Sequence, residues 1–224
     1  AYGGGLAAAA LIFTDNLSTA IIIGAITGFM IFIAHPNQKM FLRIILVLAV
    51  LLLVGRIVLQ MTLGDMQLDM TNVDSFRLKR VLVWLNPEQY SSAGGYQIMQ
   101  ALYAIGSGGF FGKGLGNSVQ KLGPVPEAQN DMIFSIICEE LGLVGASLII
   151  LLFLILIWRF FVIATHAKDL TGALIATGAM AHMMIQVILN IAVVTNSIPN
   201  TGITLPFISY GGTSVVFLLL EMGL

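Results

Sequence analysis

The chain has 224 residues, 58% of them hydrophobic and 9% charged, with ten Lys and Arg against eleven Asp and Glu and a mean hydropathy of +0.95. Soluble domains carry about 25% charged residues, so this chain cannot clothe a water-facing surface of its own and reads as a membrane protein. A net charge of −1 gives no basic footprint for nucleic acid, and the apolar content excludes a disordered chain.

A helix needs about 20 mostly apolar residues to cross a bilayer. Residues 6–13 read as the end of one span, closed by Thr14-Asp15-Asn16. Full spans follow at 17–34, at 44–63 with Arg56 inside it, at 141–158, at 170–197 with His182 inside it, and at 202–220. The expected fold is therefore all-α and polytopic, with about five full transmembrane spans plus the end of a sixth. The chain starts at Ala1 and stops at Glu221-Met-Gly-Leu224 within an apolar run, which suggests a portion of something longer.

Short loops rich in Lys and Arg mark the cytoplasmic side. Residues 35–43 carry Lys39 and Arg43, and 159–169 carry Arg159 and Lys168. This organises one membrane domain, 1–224: transmembrane helices in 1–60, a large extracellular loop over 61–131, then transmembrane helices in 132–224 with an extracellular re-entrant loop near 196–214. The outer segment holds Asp65, Asp69, Asp74, Arg77, Lys79, Arg80, Glu88, Lys113, Lys121, Glu127 and Asp131, eleven of the 21 charged groups. An apolar stretch at 96–105 is too short to span and suggests an interfacial or re-entrant helix.

Gly106-Ser-Gly-Gly-Phe-Phe-Gly-Lys-Gly-Leu-Gly116 has six glycines. It fits neither a Walker A loop nor G-x-G-x-x-G. It is either a flexible loop between helices or a nest of N–H groups with Lys113 as a point charge for a phosphate. Farther on, Asn130 or Asp131 could cap the following helix. Asp131, Ser135 and Glu139 share a helical stripe, which would run a polar track inward from Asp131. His182, Gln186 and Asn190 repeat that spacing, explained either by interhelical hydrogen bonding or by a continuation of the track. Arg56 could snorkel to the interface. The proline- and glycine-rich stretch 195–214 reads as irregular backbone walling a site.

Five blocks in register then resemble the signatures of the SEDS family (shape, elongation, division and sporulation). They are Gly95-Tyr-Gln-Ile-Met-Gln100, the glycine-rich run continued to Asn117-Ser118, Pro126-Glu-Ala-Gln-Asn-Asp-Met-Ile-Phe134, Glu139-Glu-Leu-Gly142, and Thr201-Gly-Ile-Thr-Leu-Pro-Phe-Ile-Ser-Tyr-Gly-Gly-Thr-Ser214. Asn117-Ser-Val-Gln-Lys-Leu122 is more similar to the cell-division branch than to the elongation branch. The chain departs from the family at Gln129-Asn130, where His-Thr is common.

The resemblance implies the carboxyl-terminal portion of a ten-span peptidoglycan glycosyltransferase in the bacterial cytoplasmic membrane. Such an enzyme polymerises lipid II into glycan strands on the outer face during septal cell-wall synthesis. It works alongside a class B penicillin-binding protein, other divisome proteins and membrane lipid. Asp131 matches the family's catalytic aspartate and would serve as general base. Lys113, Lys121 and Arg80, in that order, are candidates for the diphosphate, and Glu127, Ser209, Tyr210 and Ser214 for further diphosphate or sugar contacts. Ser135, Glu139, His182, Gln186 and Asn190 form the polar track. A divalent cation such as Mg or Mn could bridge diphosphate and carboxylate, although no ligand spacing demonstrates one. Two alternatives compete: a lipid II flippase, suggested by the polar stripes and broken backbone, and a non-catalytic scaffold for the penicillin-binding protein. The portion lacking the first four spans is not expected to be active alone.

Overall fold

The computed structural model describes residues 2–14, 16–34, 38–63, 75–123 and 125–223. Asp15, Asp65, Asp69 and Asp74, with the stretches 35–37 and 64–74, lie outside the described residues. The regular elements described are helices: α1 (Tyr2–Ile12), α2 (Leu17–Ala34), α3 (Gln38–Leu63), α4 (Phe76–Leu85), α5 (Gly95–Gly108), α6 (Ile133–His166), α7 (Leu170–Val194) and α8 (Gly212–Met222).

Among the described residues, α6 and α7 are long and apolar enough to cross a membrane. With 34 and 25 residues they reach about 51 and 37 Å at 1.5 Å per residue, beyond the roughly 30 Å hydrocarbon thickness. They form a hairpin joined at 167–169, where the Asp169 carboxylate caps α7 by accepting from Gly172 N at 3.2 Å. α5 packs along the first part of α6, α2 along α7, and α1 along α2. The short stretch expected at 96–105 is thus a real helix, α5.

The fifth expected span differs from its reading. Residues 201–211 are irregular, and helix begins only at Gly212 and lasts 11 residues, about 16 Å. Pro206 removes a backbone donor. Gly202 and Phe207 take left-handed φ values of 69° and 61°, so the chain turns rather than continuing a helix. The expectation of a helix cap also fails: Met132 occupies the N-cap of α6 with no side-chain bond. Asn130 instead donates to the Glu127 carboxylate, and Asp131 faces a cavity.

Burial is inverted relative to a water-soluble fold. Ser135, Glu139, Thr177 and Asn190 are buried, whereas Leu143, Leu148, Leu152 and Trp158 of α6 and most described apolar side chains of α3 are exposed. Leucines facing outward and polar groups facing inward is the arrangement expected where the surrounding solvent is lipid. One apolar cluster joins Ala101 of α5, Met132, Phe134 and Phe153, Val193 and Val194 of α7, and Leu205. A second joins Phe160, Met180, Met183 and Leu218, bringing α8 onto the α6–α7 hairpin.

Candidate active site

The glycine-rich run after α5 is not a flexible tether. It lies backbone to backbone on the start of α6: Lys113 N and Gly114 N donate 2.9 Å to the carbonyls of Glu139 and Glu140, and Leu143 N donates 2.9 Å to Gly109 O. This approach requires glycine. A Cβ on Gly112 would meet Glu140 O at 2.1 Å, and Gly142, at φ 66°, opposes Gly112 N and kinks α6. The run does form a nest, but its anion is internal: Gly116 N and Ser118 N donate to the Glu140 carboxylate at 3.0 and 3.3 Å.

The two lysines serve the same clamp. Lys113 Nζ lies 2.6 Å from Glu139 Oε1, and Lys121 Nζ 2.5 Å from Glu140 Oε1. Glu139, fully buried, also accepts from Ser118 Oγ at 2.5 Å, Gln120 N at 3.3 Å and Ser107 Oγ at 3.4 Å. The structure therefore gives Lys113 and Lys121 carboxylate partners of their own, and Glu139 is bonded to the glycine-rich loop rather than to Asp131. Ser135 is buried and donates within its own turn to Met132 O at 2.7 Å.

Asp131 lines a cavity of about 560 Å³ together with Gln97, Glu127, Asn130, Gly202, Thr204 and Tyr210. Its far wall is the irregular 195–211 segment, stitched to the Asp131 strand of chain at three points. Asn190 Nδ2 donates to the carbonyls of Asp131 and Ile203, each at 2.8 Å. Ser209 Oγ donates to Asn130 O at 2.6 Å and accepts from Leu205 N at 2.7 Å. Tyr210 N donates to Gln129 O at 2.8 Å. The wall is held from behind by Trp84 Nε1, donating to Asn196 O at 3.0 Å, and by Arg56, whose guanidinium sits over the Trp84 ring and reaches Ser197 O at 3.5 Å.

Burial pushes the Asp131 carboxyl above the usual carboxylate range. Backbone hydrogen bonding, the Asn200 amide and the Arg80 cation pull it back, and the neighbouring Glu127 charge pushes it up. Arg80, stacked on Phe76 at 4.5 Å, is thus the cation of the original three whose field reaches Asp131. Glu127 holds its position at a left-handed φ of 52°. Ser209 meets backbone, Tyr210 meets the cavity, and Ser214 lies in the first turn of α8 outside the lining. His182 pairs with Glu221 of α8 at 2.8 Å, and Gln186 lies half-buried between His182 and Asn190. Among the described residues no three His, Cys, Asp or Glu side chains converge as a metal site; Asp131 and Glu127 are the two carboxylates on the cavity.

The family model for FtsW/RodA/SpoVE, described as a cell cycle protein, matches residues 5–224. The chain belongs to the FtsW/RodA/SpoVE family. It is 51% identical over 148 residues, 66% of this chain and 40% of the relative, to stage V sporulation protein E of Bacillus subtilis (strain 168). It is 38% identical over 210 residues to the probable peptidoglycan glycosyltransferase FtsW of the same organism, covering 93% of this chain and 50% of that one. With the probable peptidoglycan glycosyltransferase FtsW of Idiomarina loihiensis it shares 35% identity over 224 residues, 98% of this chain and 51% of that protein. A solved chain from a peptidoglycan synthase complex shares its fold, with a TM-score of 0.68 at 24% identity, covering 98% of this chain and 57% of that chain. This FtsW/RodA/SpoVE chain spans about half the length, or less, of these curated relatives.

Gln97 and Thr204, which line the cavity, were not among the sequence candidates, and neither was Asn200, whose amide acts on the Asp131 carboxyl. Gln97 stood inside a quoted block, and Asn200 two residues before Gly202 carries the signal of an Asx turn, which it makes by accepting from Gly202 N at 2.9 Å.

Proposed function

We propose that the full-length protein containing this chain is a peptidoglycan glycosyltransferase that polymerises lipid II on the outer face of the cytoplasmic membrane, in septal wall synthesis. Asp131 is its general base. The reading is supported above all by one observation: a half-buried carboxylate at the mouth of α6 facing a polar cavity, in a family whose relatives bear that activity in their names. The Lys- and Arg-bearing sequences at 35–43 and 159–169, read as cytoplasmic, support an outward-facing Asp131. The five-span topology and the re-entrant character of 196–214 belong to the same proposal.

The chemistry follows from the groups present. A sugar hydroxyl of one substrate attacks the anomeric carbon of another, and the leaving group is a lipid diphosphate. Asp131 accepts the hydroxyl proton as the new bond forms, an effect worth about 10²–10⁴ in rate. The diphosphate departs as an anion and needs positive charge rather than an acid. Arg80, free of a carboxylate partner among the interactions described and felt at Asp131, is better placed for this than Lys113 or Lys121. A single displacement inverts the anomeric centre. A class B penicillin-binding protein, other divisome proteins and membrane lipid are the proposed partners.

Purified full-length protein in liposomes, given labelled lipid II in the outer leaflet only, should form glycan strands without moving lipid to the inner leaflet. Translocation without polymer would favour the flippase instead, and neither product, even with the penicillin-binding protein bound, would favour a scaffold.

A further inference from the structure

We infer that Gln97 and Asn200 are positioning residues for the Asp131 carboxylate: two side-chain amides, one from α5 and one from the opposite wall, that present N–H groups to it and hold it in one orientation. The inference rests on Asp131 being the general base.

Each amide has its orientation fixed by a backbone partner. Gln97 Nε2 lies 3.2 Å from Pro126 O and 3.4 Å from Asp131 Oδ1. Both neighbours can only accept, so the amide nitrogen, not the oxygen, must face them. Asn200 Oδ1 accepts from Gly202 N at 2.9 Å, which leaves its NH2 available to the carboxylate, and this amide pulls the Asp131 carboxyl down. Neither residue carries charge, so neither neutralises Asp131 or turns it into half of an ion pair. An ion pair would quench a base; a neutral amide directs its lone pairs and leaves it basic.

The charged groups around Asp131 are Glu127 from its own loop and Arg80 from α4. They act in opposite directions, and the two amides supply side-chain donors beside the backbone hydrogen bond on the carboxylate. Gln97 comes from the side of α5 that is anchored by the buried Ala101 and Ala104, and Asn200 from a wall pinned by Asn190 and Ser209. A carboxylate gripped between two such anchored elements meets an incoming hydroxyl with its free lone pairs already directed into the cavity.

The test uses the full-length protein, assayed for polymerisation of lipid II across a pH series. The near-isosteric Gln97→Glu and Asn200→Asp replace a donor with a carboxylate. Each is expected to lower kcat at neutral pH by about tenfold or more, to leave KM within about twofold, and to move the acidic limb of the kcat profile upward by about one pH unit. Gln97→Met and Asn200→Leu remove the donor without adding charge, and should move the limb the same way by less. A uniform loss at every pH with the limb in place, or a rise in KM alone, overturns the positioning role. Asp131→Asn separates the two claims. If it is inactive while the limbs stay put in the other variants, the positioning role alone fails. If it polymerises normally, the base assignment beneath it fails.

Discussion

Asn190, buried in α7, donates one hydrogen bond to the main-chain carbonyl of Asp131 and another to that of Ile203, both at 2.8 Å. One side chain therefore couples the peptide group of Asp131 to the opposite wall of its cavity. Replacement by leucine leaves two buried carbonyls without donors, each costing about 1–3 kcal/mol. It also removes an oxygen that has no partner. We expect Asn190→Leu to destabilise the full-length protein by about 2 kcal/mol in thermal unfolding and to lower polymerisation. An unchanged melting midpoint would contradict the coupling.

Lys113 is paired with the buried Glu139 carboxylate at 2.6 Å, and we expect its loss to act on structure first. Lys113→Met strands a fully buried carboxylate, a change worth about 3–5 kcal/mol. The double variant Lys113→Met with Glu139→Leu should recover most of that loss, because the unpaired charge goes with it. A thermal double-mutant cycle checks this. Additive losses, with a KM for lipid II raised in Lys113→Met alone, would return the lysine to substrate binding.

The raised Asp131 carboxyl predicts two pH effects. Polymerisation by a base must fall as pH drops through its folded value, so the acidic limb should lie above the ordinary carboxylate range of about 4. Stability runs the other way. A group whose folded value exceeds its unfolded one contributes stability below the unfolded value and loses it as pH rises through the folded one. Asp131→Asn should flatten the stability profile across that window, as measured by unfolding at a series of pH values. A wild-type profile with no decline there would contradict the burial argument.

The helical class, the α6–α7 hairpin and the polar character of 195–211 were legible in residue order because apolar length and Pro/Gly punctuation are local signals. The start of α8 was not. Residues 202–220 read as one apolar run, but Pro206 and the left-handed Phe207 keep the first half irregular, and only the third dimension shows Ser209 and Tyr210 bonded to the Asp131 loop. Spacing likewise set Asp131, Ser135 and Glu139 on one stripe. The helix starts after Asp131, so the stripe breaks, and Glu139 turns to a loop 26 residues earlier in the chain. Gln97 and Asn200 were hidden for the same reason: nothing near either residue in sequence names Asp131 as a partner.

The central claim is that Asp131 takes the proton from the attacking hydroxyl. The direct measurement is the initial rate of glycan-strand formation from lipid II by the full-length protein and its Asp131→Asn variant, each with its partner penicillin-binding protein. The variant should bind the partner and unfold at a temperature no lower than wild type, yet make polymer at least about 10²-fold more slowly. Strand formation at the wild-type rate by folded Asp131→Asn protein would contradict the account.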